Sequence, residues 1–74
     1  MIENVLDIVS GMTSVDRKQL SIDSSPENVT EWDSLTHMKI ILAVEEEFEL
    51  GFTDEELGSL LSVSDIVNVI NSKK

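Results

Sequence analysis

The sequence predicts an all-α fold, a four-helix bundle with three main helices, a short third helix and a long ordered loop between helices one and two. Three observations predict it. Apolar residues recur at helical rather than alternating spacing in three separate stretches of this 74-residue chain. Two downstream segments open with a hydroxyl residue followed three positions later by an acid, the signature of a helix start. The chain also has 41% hydrophobic residues but no cysteine, so packed helix faces rather than disulfides must hold the fold. Its length allows one domain, residues 1–74.

The elements follow in order. Ile2, Val5, Leu6 and Val9 keep the i, i+3, i+4, i+7 spacing of an amphipathic helix over roughly residues 2–12. Glu3 suits its N-terminus and Gly11 is its expected stop. Residues 13–33 then form a connection long enough to need anchoring. A helical turn is expected within Ser14 to Leu20, and Ser24-Ser25-Pro26 marks a bend. Val15, Leu20, Ile22, Val29 and Trp32 are its expected apolar anchors. Helix two starts at Asp33-Ser34 and runs to about Glu49, with Gly51 beyond it. Thr53 and Glu56 form a capping-box pair for the short third helix, which Gly58 limits. Ser62 and Asp65 do the same for helix four. That helix buries Val63, Ile66, Val67 and Ile70 and ends on the dipole-favoured cations Lys73 and Lys74.

Charge narrows the function classes. Fifteen Asp and Glu against five Lys and Arg give a net charge of -10, which repels nucleic acid and anionic membranes and suits partners with basic patches. The apolar run Ile40 to Val44 is far too short to span a bilayer. Met1-Ile2-Glu3-Asn4 lacks the basic region of a signal peptide, so a cytoplasmic monomer is expected. No metal site is expected. So small a domain leaves little room for an enclosed cleft, which weighs against an enzyme.

Helix two carries a second face. With about 100° of rotation per residue, His37, Ile40, Ile41, Val44 and Phe48 form a core arc, and Thr36, Lys39, Ala43 and Glu47 the solvated far side. The remaining arc holds Ser34, Leu35, Met38 and Leu42 among Glu45, Glu46 and Glu49. The pattern alone admits two readings: a wide buried stripe packed on helix three, or an exposed docking strip with an apolar centre and an acidic rim. Glu45, Glu46, Glu47 and Glu49 crowd the helix C-terminus, where negative charge opposes the macrodipole. A local rule broken without an evident structural return favours the docking strip.

Ser34 alone reads as a helix N-cap. Its context is more specific. The Asp33-Ser34-Leu35 helix start, the Glu45-Glu46-Glu47-Phe48 helix end, Thr53-Asp54-Glu55-Glu56 and Ser62-Val63 stand in one order along the chain. This ordered set resembles the acyl carrier proteins of fatty-acid, polyketide and nonribosomal peptide assembly, over nearly the whole length. The resemblance implies a carrier rather than an enzyme. It implies 4′-phosphopantetheine, taken from coenzyme A, on Ser34, with Asp33 helping the phosphopantetheinyl transferase engage. It further implies that Leu35, Met38, Leu42, Glu45 and Glu46 dock partners, among them acyl-loading ligases or synthases with basic patches. Leu60 and Ile66 match positions that line the acyl pocket. Two features depart from the family's usual pattern: Lys39 stands where many members carry an acid, and Glu31-Trp32 precedes Asp33 where fatty-acid carriers have Gly-x. The latter resembles free-standing carriers of specialised pathways, including D-alanyl carriers.

Other readings are weaker. His37 lies three residues after Ser34, but a Ser–His dyad would need an orienting group and an oxyanion hole, and neither is evident. His37 is instead placed at the edge of the core face, and phosphopantetheinylation is expected to raise its pKa. A calcium loop from Asp23 would put Asn28 at the turn glycine and Ser34 at the bidentate acid, a poor match. The rival class is an acidic helical adaptor that binds proteins and is never modified.

Overall fold

The computed structural model describes residues 2–73; Met1 and Lys74, which enter the N-terminal and C-terminal readings above, lie outside the described residues. Among the described residues four α-helices follow one another: α1 (Ile2–Thr13), α2 (Ser34–Phe48), α3 (Asp54–Leu57) and α4 (Val63–Lys73), with a 3-10 turn at Arg17–Gln19 in the crossover. Both α2 and α4 pack against α1. The core between them is made of Val5 and Val9 of α1, Ile40, Ile41 and Val44 of α2, and Val63, Ile66 and Ile70 of α4, all buried. These are the positions the helical periodicity selects. Val67 and Phe48 pack only partly against this core.

The first helix does not stop at Gly11. It continues to Thr13 and ends where Ser14 adopts a left-handed conformation, φ 63°. The reason lies in side chains rather than in glycine. The Thr13 hydroxyl donates to the Val9 carbonyl at 2.7 Å and accepts the Val15 amide at 3.2 Å, while the Ser10 hydroxyl donates to the Val15 carbonyl at 2.7 Å. The two bonds to Val15 tie the chain just beyond the helix back to its last turn, while the Ser14 amide donates to the Ser10 carbonyl at 2.9 Å. The next helix likewise ends on a left-handed Glu49, φ 53°, before Gly51 is reached.

The crossover is ordered, as expected, but its anchors are mixed. Leu20, Val29 and Trp32 are buried and Val15 is partly so, whereas the Ile22 side chain is exposed. Ile22 contributes backbone instead: its carbonyl accepts the Ser64 amide at 3.0 Å, and the Ser24 carbonyl accepts the Val63 amide at 3.0 Å. The first two amides of α4 have no partner within their own helix, and the crossover supplies one for each. Arg17 adds an ion pair to Glu3 and another to Asp7 at 3.0 Å, tying the 3-10 turn to α1.

The third helix has the full reciprocal cap. Thr53 accepts the Glu56 amide at 3.1 Å and Glu56 accepts the Thr53 amide at 2.8 Å. At α4 the box is altered. Ser62 accepts the Asp65 amide at 3.2 Å, but the Asp65 carboxylate takes the amide of Leu61 at 3.1 Å rather than that of Ser62. Among the described residues no buried side-chain nitrogen or oxygen lacks a hydrogen-bond partner.

Candidate functional site

The N-terminus of α2 is built by Asp33, not by Ser34. Asp33 is extended, and its Oδ1 accepts the Thr36 amide at 2.8 Å, so it is the N-cap. This amide bond holds the Asp33 carboxyl below the usual carboxylate range. Ser34 is thereby moved to the first helical position. Its side chain is exposed, and its hydroxyl takes part in none of the hydrogen bonds among the described residues. The capping reading of Ser34 is therefore corrected: the neighbouring carboxylate does that work and leaves the hydroxyl free at the positive end of a fifteen-residue helix.

An open depression of about 470 Å³ adjoins Ser34. Pro26 and Glu27 of the crossover form one side, Asp33, Ser34, His37 and Met38 of α2 another, and Leu60 and Leu61 of the α3–α4 connection the third. Leu60 reaches this wall. Ile66 does not; it is wholly enclosed in the core. Leu61, Pro26 and Glu27 were not legible as site residues. For Leu61 there was one signal: two adjacent leucines in a non-helical link cannot both face inward, and here Leu60 is buried and Leu61 is exposed.

The two readings of the second face of α2 now separate. Leu35, Met38 and Leu42 are 69%, 49% and 59% exposed, so this arc is not a stripe buried on α3. Glu46 and Glu49 are exposed beside it. Glu46 borders a hollow with Ile8, Ala43, Glu47 and Glu49, on the α1 side of the strip. Glu45 differs: it is half-buried, and its Oε2 accepts the Phe52 amide at 2.8 Å. One of the crowded acids thus has a structural return that the sequence did not display.

His37 lies at the edge of the core face, half-buried, with burial lowering its pKa. Its Nδ1 accepts the Trp32 indole N–H at 2.9 Å. Among the described residues no hydrogen bond joins His37 to Ser34 or to a carboxylate. Among the described residues there is no cluster able to hold a metal ion, and no helix is long and apolar enough to cross a membrane.

No family model matches the chain. Similarity to individual proteins is extensive, however. The chain is 36% identical over 70 residues to the acyl carrier protein of Clostridium acetobutylicum, covering 95% of this chain and 91% of that protein. It is 36% identical over 73 residues to the acyl carrier protein of Thermosynechococcus vestitus, covering 99% and 90%. Over 68 residues it is 35% identical to that of Campylobacter concisus, covering 92% and 88%. An exposed serine hydroxyl beside an acid-edged apolar strip, on a four-helix scaffold with end-to-end similarity to these proteins, makes the chain a member of the acyl carrier protein family, whose members are carriers and not enzymes.

Proposed function

We propose that Ser34 is the attachment point of 4′-phosphopantetheine and that the strip formed by Leu35, Met38 and Leu42, with Glu45 and Glu46, docks the enzymes that load and use the carrier. The observation that carries this reading is the free Ser34 hydroxyl, released from capping by Asp33. The residues present fit the group. The hydroxyl is exposed, the helix N-terminus favours an anionic phosphodiester, and the depression beside it is walled by Met38, Leu60 and Leu61. Once attached, the group supplies a thiol that this cysteine-free chain lacks, on which an acyl group is held as a thioester.

In the attachment step a bond forms between Ser34 Oγ and the phosphorus of coenzyme A that bears the pantetheine. The pyrophosphate P–O bond breaks and adenosine 3′,5′-bisphosphate leaves. The hydroxyl proton passes to a base of the transferase, so the carrier needs none of its own. Asp33 keeps the first turn of the helix formed, and its exposed carboxylate is available to a basic transferase. Leu35 and Met38 lie within one turn of Ser34 and give the partner an apolar contact, while Glu46 at the edge of the strip pairs with basic side chains. Leu60 offers cargo an apolar wall. Ile66 supports that wall from within the core.

Intact-mass measurement tests this. Incubated with coenzyme A and a broad-specificity phosphopantetheinyl transferase, the protein is expected to gain one phosphopantetheine mass, and Ser34→Ala is expected to gain none. Because Asp33 supplies the cap, Ser34→Ala should fold with an unchanged helical spectrum. A wild-type chain that stays unmodified overturns the proposal and leaves the unmodified adaptor.

A further inference from the structure

Trp32 and His37 form a pair that the carrier reading does not use. The Trp32 Nε1–H donates to His37 Nδ1 at 2.9 Å, with the ring centroids 5.9 Å apart and the ring planes inclined by 29°. An indole nitrogen can only donate, so Nδ1 must present its lone pair. The neutral imidazole therefore carries its proton on Nε2. Trp32 is 1% exposed and fixed in the core, which anchors the histidine ring from the inner side.

The other edge of the ring is open. No described residue bonds Nε2, yet no buried side-chain nitrogen among the described residues lacks a partner. Nε2 is therefore accessible. His37 lines the same depression as Ser34 and sits three positions further along α2, the spacing that makes side chains neighbours on one helix face.

We infer that His37 is a positioning residue for the group attached at Ser34: its Nε2–H donates to a phosphodiester oxygen, and Trp32 fixes the tautomer that places a donor there. The inference rests on Ser34 being the attachment site. A phosphodiester offers anionic acceptor oxygens, and hydrogen bonds to a charged acceptor are the stronger kind. Tethered at the ester and held again at Nε2, the phosphate leaves the arm fewer directions in which to depart from the helix.

The surroundings suit a neutral donor. The other titratable groups on the depression are Glu27 of the crossover and Asp33 of the cap; the α3–α4 connection contributes only Leu60 and Leu61. Protonating Nδ1 would break the Trp32 bond and leave a buried indole N–H without a partner. Burial opposes the charged ring as well, whereas the charge of the attached phosphodiester acts in the opposite sense.

NMR of the full chain before and after loading tests this. Long-range nitrogen–proton correlations should show the His37 proton on Nε2 in both forms, with the Nε2 resonance shifting on loading. The phosphorus resonance of the loaded protein should move with the midpoint of His37's own titration, read in the same samples from its ring resonances. His37→Phe should abolish that response. His37→Gln, which keeps an acceptor for Trp32 and an amide donor near the place of Nε2, should abolish the titration but hold the phosphorus shift near its neutral wild-type value. A proton found on Nδ1 overturns the inference. So does a phosphorus resonance indifferent to His37 titration in protein whose mass shows loading, and in both cases the Ser34 assignment survives. Protein that never gains the mass overturns the Ser34 assignment and this inference together. If the variants fail to fold, the wild-type tautomer and phosphorus titration decide the matter alone.

Discussion

The Glu45 carboxylate accepts the Phe52 amide at 2.8 Å, fastening the last turn of α2 to the approach to α3. Glu46, one position on, is exposed and makes no such bond among the described residues. Glu45→Ala is therefore expected to destabilise by about 1 kcal/mol, because it leaves a half-buried amide without its acceptor. In a domain of this size that lowers the melting temperature by about 4–8 °C. Glu46→Ala should stay within about 0.5 kcal/mol of wild type. Thermal melts of the two variants check the contrast, and loss of partner turnover in Glu46→Ala then reports docking free of any change in the fold.

Leu42 and Ile41 are adjacent but face opposite environments, 59% and 2% exposed. Ile41→Ala should cost about 2–5 kcal/mol, since it opens a cavity in the packed core. Leu42→Ala should change stability by no more than about 0.5 kcal/mol while reducing turnover by loading enzymes. Urea melts beside a partner assay separate the two. A large loss of stability in Leu42→Ala would remove it from the docking strip.

Acid should weaken the α3 cap and its link to α4. The Thr53 amide, and then the Lys73 ammonium at 2.9 Å, hold the Glu56 pKa below the ordinary value of 4.5. Because the folded value is the depressed one, its contribution is fully present above the unfolded pKa and is lost as pH falls through the folded one. Stability should thus decline below about pH 4.5. The decline should be shallower in Glu56→Gln, which no longer titrates there. Denaturant midpoints measured across that range check the sign.

Glu49 combines a left-handed backbone, φ 53°, with a negative charge at the C-terminal end of α2. Glycine relieves the first and removes the second. Even allowing for the greater freedom of glycine in the unfolded chain, Glu49→Gly should stabilise by about 1 kcal/mol. Differential scanning calorimetry should show a higher melting temperature. If partner turnover falls at the same time, the charge was kept for docking.

Much of this molecule was legible in its residues. The periodicity of Val5, Val9, Ile40, Val44, Ile66 and Ile70 marked the buried faces, and Thr53 with Glu56 marked the start of α3, because both signals act within one or two turns of chain. Gly11 was misleading as a terminator, since the bonds of Ser10 and Thr13 to Val15 set the true end of α1. Ile22 was misleading as an anchor, since its carbonyl and not its side chain is what α4 uses.

By itself the sequence determined the helices, the acidic character and the position of Ser34 in an Asp-Ser-Leu helix start, all properties carried by neighbours along the chain. Only the tertiary structure decided which residue caps α2, whether Leu35, Met38 and Leu42 face solvent, that Glu45 holds Phe52, and that Trp32 grips His37. Each of these depends on how far a short helix such as α3 covers its neighbour, or on which rotamer a side chain adopts beside a competing donor. Such choices are made by packing between segments distant in sequence and by local competition for hydrogen bonds, and the spacing of residues along one helix does not encode them.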